Sequence, residues 1–183
     1  MSYLNINNLT YHKMNNLLIN NISFDLKKGE VLSIIGPSGA GKTTILRLLA
    51  GFLKPSKGDI ILLKKTISNN KYTVPTGDRN IGLMFQEEVL FPHLTVYKNI
   101  AFGLERLKLK NKNDLISTYL EKFELRDRKN YYPDNLSGGE KQRVSLARIL
   151  ITNPKILLMD EPFSNLDNKL RWDICNYTMS VLK

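Results

Sequence analysis

The chain has 183 residues, 42% apolar and 24% charged, the balance of a single globular domain and not of a disordered or fibrous chain. No stretch reaches the roughly 18 continuous apolar residues that cross a bilayer, and no basic start followed by an apolar run marks a secretory leader, so a cytosolic chain is expected. The formal charge is +10, from 27 basic and 17 acidic residues, but the lysines are scattered among 19 asparagines, which reads as compositional bias and not as a nucleic-acid-binding tail.

Leu4 to Tyr11 and Ile22 to Leu26 alternate apolar and polar residues, the pattern of half-buried strands. Lys28-Gly29 makes a turn, and Val31 to Ile35 (VLSII) is a short apolar run that predicts a buried strand. A glycine-rich loop follows, then a helix from Thr43 to Ala50 that Gly51 closes. Pro55 to Gly58 turns the chain into a strand at Asp59 to Leu63. Thr66 to Asn80 is expected to be a polar loop, and Ile81 to Phe85 a strand. From Thr95 to about Ile151 apolar residues recur at helical spacing: Leu115, Tyr119, Leu120 and Phe123, then Val144, Ala147, Leu150 and Ile151. Pro154 ends that stretch, Ile156 to Met159 reads as a fully buried strand, and Asn168 to Leu182 as a last helix. On that helix Cys175, the single cysteine, is expected to be a small apolar residue, with no partner for an internal disulfide. The succession of strands, helices and a strand predicts an α/β fold with a parallel core and a helical insertion.

Gly36-Pro37-Ser38-Gly39-Ala40-Gly41-Lys42-Thr43 fits G-x-x-x-x-G-K-[ST] in full, after one predicted strand and at the head of a predicted helix. The glycines let the backbone wrap closely with its N–H groups turned inward, and the helix N-terminus adds partial positive charge. Lys42 is expected on the β- and γ-phosphates of a nucleotide and Thr43 on Mg²⁺. The second apolar strand ends in Asp160-Glu161-Pro162. Adjacent acids there call for a cation or a task. Asp160 suits Mg²⁺ held through water, and Glu161 a general base that orients the attacking water.

Between these motifs stand Leu136-Ser137-Gly138-Gly139-Glu140 and then Gln142-Arg143. A serine cap before a glycine turn begins many helices, but LSGGEKQR in this position resembles the nucleotide-binding domain of ABC transporters, over nearly the whole chain. The resemblance implies one nucleotide-binding domain over residues 1–183, an α/β P-loop NTPase core with a parallel sheet, an N-terminal antiparallel β subdomain and a helical subdomain at about 90–150. It also implies ATP and Mg²⁺ as cofactors and ATP hydrolysis coupled to transport. ATP would sit between the P-loop, Gly36 to Thr43 with Thr44, and the Ser137, Gly138, Gly139 and Glu140 signature of a second subunit in a head-to-tail dimer. Tyr11 matches the aromatic residue that stacks on adenine, with an edge-strand tyrosine as the alternative. Gln86 matches the glutamine that touches Mg²⁺ and relays to the membrane subunit, with a plain loop glutamine as the alternative. Ser164-Asn165-Leu166-Asp167 matches the loop that joins the two sites, with Asn165 where a small residue is usual.

The implied partners are a second nucleotide-binding subunit, transmembrane permease subunits and, indirectly, a solute-binding protein. No nucleic acid is expected, and the place is the cytoplasmic face of the membrane. Residues Gln86 to Leu104 look most like importers for ferric ion, with polyamine, thiamine and sulfate importers close behind. His93 tempts a metal reading, but one loop histidine makes no site. The family's γ-phosphate histidine has no counterpart, since the histidines are His12 and His93, and the family's final sheet strand is expected to be missing. Reduced hydrolysis relative to ATP binding follows as an expectation. A nucleotide-binding remnant and a soluble ABC protein of DNA repair or translation are the competing readings, the latter lacking here its usual paired domains or long coiled-coil insertion.

Overall fold

The computed structural model describes residues 2–14, 16–85, 90–105 and 110–160, together with 171–172, 175–176 and 178. The chain forms two compact units, Met1–Ile81 and Gly82–Leu182.

The first unit is built on a four-stranded antiparallel sheet of β1 (Leu4–Lys13), β2 (Asn16–Leu26), β3 (Lys57–Leu62) and β4 (Lys65–Asn69), in the order β2-β1-β3-β4. Leu4 stands opposite Leu26 on one side and Leu62 on the other, and Ile6 opposite Phe24 and Ile60. Period-two alternation therefore collects Leu4, Ile6, Ile60 and Leu62 on one buried face. The β1–β2 register shifts between Ile6 and Leu9. There Asn8 and Asn21 take left-handed backbone (φ 49 and 50), and Asn8 Nδ2 donates to Asn21 Oδ1 at 2.8 Å. Helix α1 (Lys42–Ala50) lies against β2 and buries Ile45, Leu48, Leu49 and Ala50.

Two expectations fail in this unit. Val31 to Ile35 is not a strand: the segment carries no ladder, and Val31 and Ile35 are 65% and 93% exposed. An apolar run becomes a buried strand only when a neighbouring backbone pairs with it, and among the described residues none does. Thr66 to Asn80 is not a plain loop. It holds β4 and a short 3-10 turn at Thr76–Asp78, with Ile67 buried and the Ser68 and Thr73 hydroxyls 2.8 Å apart.

In the second unit β5 (Ile81–Met84) pairs with β6 (Ile156–Met159), and α2 (Val96–Phe102), α3 (Lys112–Lys122) and α4 (Gly138–Leu150) lie between them in sequence. One core joins Met84, Val96, Ile100, Ile116, Leu120, Phe123, Val144, Leu146, Ala147 and Leu150. Each of the larger side chains contributes about 1.5–3 kcal/mol by leaving water, and Ala147 less. Of β6 only Leu158 is buried, so the strand is less enclosed than its apolar sequence suggests. Within the last predicted helix, Arg171, Trp172, Cys175, Asn176 and Thr178 are helical, and the other positions lie outside the described residues. Burial pushes the half-buried Cys175 thiol up from its ordinary value.

Candidate nucleotide-binding site

The glycine-rich loop enters α1 through Gly41, the residue before the first helical turn, at φ 91. A Cβ there would lie 2.7 Å from Ile19 Cδ1 and 3.3 Å from the Leu18 carbonyl oxygen. The position therefore needs glycine twice over, for its left-handed backbone and for its close approach to β2. No side chain caps α1 and no acid stands in its first turn. Its leading amides lack intrahelical acceptors, the arrangement at a helix N-terminus that suits an anion. Gly36, Pro37, Ser38, Gly39 and Ala40 are exposed, and Gly41, Lys42, Thr43 and Thr44 half-buried. Lys42 Nζ donates to the carbonyls of Gly36 at 2.9 Å and Pro37 at 3.0 Å, so its ammonium is folded over the loop that it would serve.

Tyr11 lies in β1 with Ile19 of β2 as its register partner, the same Ile19 that meets Gly41. Through that shared neighbour the sheet sets Tyr11 in the same unit as the loop. The edge-strand alternative is corrected: β1 is flanked by β2 and β3 and is an interior strand.

The signature lies in the second unit. Ser137 caps α4, and its hydroxyl oxygen accepts from the Glu140 amide at 3.3 Å, while Glu140 Oε2 accepts from the Ser137 amide at 2.8 Å. An accepting hydroxyl keeps its own proton available to donate, and Ser137 and Gly138 are exposed. Glu140 Oε1 also accepts from Arg128 Nε at 2.8 Å. The Ser137 amide first, opposed by partial burial and reinforced by Arg128, holds the Glu140 carboxyl below the usual carboxylate range. Leu136, buried just before the cap, anchors the signature in the core.

Asp160 follows β6, half-buried, with its amide donating to the Met84 carbonyl of β5 at 3.0 Å. Gln86, Glu161 and the Ser164 to Asp167 loop lie outside the described residues. Two residues that sequence reasoning passed over organise these motifs. Arg128 ties the signature cap to the turn before it, and the buried Arg79 binds the end of α1. Neither has a periodic or motif signal, because each acts through tertiary hydrogen bonds.

The ABC transporter family profile matches residues 19–164. The chain belongs to the ABC transporter family. The standard activity of that family is ATP hydrolysis coupled to transport. Among curated relatives, a ferric-ion import ATP-binding protein (FbpC 2) of Haemophilus influenzae is 44% identical over 98% of this chain and 51% of its own length. A spermidine/putrescine import ATP-binding protein (PotA) of Thermotoga maritima is 45% identical over 86% of this chain and 42% of its own. The chain thus spans about half the length of the curated relatives it matches. Among solved structures, an ATP-binding cassette in a dimeric post-hydrolysis state with ADP and Pi matches with a TM-score of 0.82 and 31% identity, over 96% of this chain and 81% of that one. The structure of cbiO1 from Clostridium perfringens, part of the ABC transporter complex cbiONQ, matches with a TM-score of 0.83 and 30% identity, over 99% and 75%. The fold is accordingly the α/β P-loop NTPase fold of ABC ATPase domains.

Proposed function

We propose that the chain binds and hydrolyses Mg-ATP as the ATP-binding part of an importer. The observation that carries this reading is the uncapped N-terminus of α1, with Lys42 folded over an exposed glycine loop, in a chain of this family. The loop amides and the Lys42 ammonium would hold the phosphates, and Tyr11 the adenine face. Thr43 and Asp160 offer hydroxyl and carboxylate oxygens, which suit a hard divalent ion. Mg²⁺ keeps several of its waters and needs few protein oxygens, so two such side chains beside nucleotide phosphates suit it. Bound Mg²⁺ would neutralise phosphate charge. Glu161 would orient and deprotonate the attacking water, and Gln86 would sense the ion.

Ser137, Gly138, Gly139 and Glu140 would complete the site of a second copy head to tail, since each chain then supplies half of each site. The dimeric state of the ADP-bound relative supports this. Permease subunits are the proposed membrane partners, with a solute-binding protein acting through them and the chain resting on the cytoplasmic face. No helix among the described residues is long and apolar enough to cross a membrane. For the cargo, ferric-ion and polyamine relatives match at 44% and 45% identity with overlapping coverage of this chain, and the reading toward ferric ion rests on the likeness of Gln86 to Leu104 to ferric-ion importers. Ferric ion is therefore the first cargo to test.

Glu161→Gln tests the reading. It should retain Mg-ATP and accumulate an ATP-dependent dimer in size-exclusion chromatography, with hydrolysis lost. A variant that stays monomeric with Mg-ATP, or that turns ATP over as the wild type does, would overturn it.

A further inference from the structure

We infer that Arg79 is a positioning residue for the phosphate loop, acting through α1; this rests on the nucleotide-binding reading above. Arg79 is 3% exposed. Its Nη1 donates to the carbonyls of Leu48 at 3.1 Å and Leu49 at 2.7 Å, in the last turn of α1. Its Nε donates to the Val74 carbonyl at 2.9 Å, and its Nη2 to the Ile67 carbonyl of β4 at 3.4 Å. One guanidinium thus fastens the carbonyl end of α1 to β4 and to the strand's return loop. No salt bridge to Arg79 is found among the described residues. A buried cation without a carboxylate is costly, and the arrangement persists because carbonyl dipoles and the negative end of α1 replace water around it.

The room for this fastening is made by Gly51. A Cβ at that position would stand 2.5 Å from Arg79 Nε and 2.6 Å from its Cζ. Gly51 also ends the helix at φ 91, its amide donating to the Arg47 carbonyl at 3.1 Å. The consequence for function follows from the length of α1. It has nine residues with Lys42 at one end and Leu48 to Ala50 at the other, so a rigid helix held at its carbonyl end fixes where Lys42, Thr43 and the loop amides stand. Small misplacements of such groups cost binding and rate out of proportion to the distance moved. Arg79 touches no nucleotide in this scheme.

The test uses the full chain with Arg79→Met, which keeps much of the side-chain volume and loses every donor, and Arg79→Lys, which returns the cation. Mg-ATP affinity and amide hydrogen exchange are measured on both. Expected for Arg79→Met is wild-type protection of the β1 and β3 amides, faster exchange along Lys42–Ala50, and Mg-ATP binding weaker by about tenfold or more, partly restored in Arg79→Lys. Sheet protection with Mg-ATP binding within about twofold of the wild type would overturn the inference. If Arg79→Met does not fold, Arg79→Gln takes its place, losing the cation and most of the donors, and Mg-ATP binding within about twofold of the wild type in that variant is the contrary result. If the wild type itself does not bind Mg-ATP, the nucleotide reading fails. The α1 exchange rates then judge Arg79 alone, and unaltered α1 protection in Arg79→Met sinks it.

Discussion

Ser137 and Glu140 cap α4 reciprocally, each side chain accepting from the other's backbone amide, at 3.3 Å and 2.8 Å. Arg128 holds the same carboxylate at 2.8 Å from the far side. The Glu140 pKa is lowered in the folded state. Its contribution to stability is therefore complete above the ordinary glutamate value of about 4.3 and is lost as pH falls through the lower folded value. In urea unfolding, wild type should exceed Glu140→Gln at pH 7, and the gap should close toward pH 3. A gap independent of pH would contradict the assignment. Ser137→Ala should cost about 1 kcal/mol at neutral pH.

Asn99 organises the loop before α2. Fully buried, it accepts from the Phe91 amide at 2.9 Å and donates to the carbonyls of Phe91, Leu94 and Thr95 at 3.1, 2.9 and 3.2 Å. Asn99→Ala leaves those groups without their partner in a site closed to water. A loss of about 1–3 kcal/mol is expected, read from the urea midpoint, with faster exchange at the Phe91 amide.

Much of this was legible in the chain, and the reasons differ by element. Helices α1 and α4 announce their ends through Gly51, Ser137 and the spacing of Val144, Ala147 and Leu150, because caps and periodicity are local. Strand β4 was hidden because its one large apolar residue, Ile67, sits among polar ones, and Ser68 is buried through its hydroxyl partner. Val31 to Ile35 misled in the opposite sense, since hydrophobicity states that a segment can be buried and not which backbone will pair with it. The interior place of β1 depends on β3 joining its second edge from residue 57 onward, a non-local choice that a tyrosine in an alternating run does not encode. In the site, Lys42 and Ser137 were legible as motif members. Arg79 and Arg128 were not, because their roles exist only in tertiary hydrogen bonds.

Gln142 follows the signature and is 3% exposed, and its Oε1 has no hydrogen-bond partner among the described residues. Where such a buried acceptor has no partner, replacing it by an apolar side chain of similar length removes a desolvation penalty. Gln142→Met should leave the thermal midpoint unchanged or raise it, by the equivalent of up to about 1 kcal/mol. A clear fall would show that the amide holds a bond that keeps α4 in place.

The most direct measurement of the central claim is Mg-ATP affinity of the wild-type chain beside Lys42→Ala, by equilibrium titration with the fold of both checked by circular dichroism. Lys42 now donates to the loop's own carbonyls and is proposed to turn to the phosphates when nucleotide enters. Its loss should weaken Mg-ATP by about ten- to hundredfold, the range for a charged hydrogen bond, with the fold intact. A folded Lys42→Ala that binds Mg-ATP as tightly as the wild type would contradict the account.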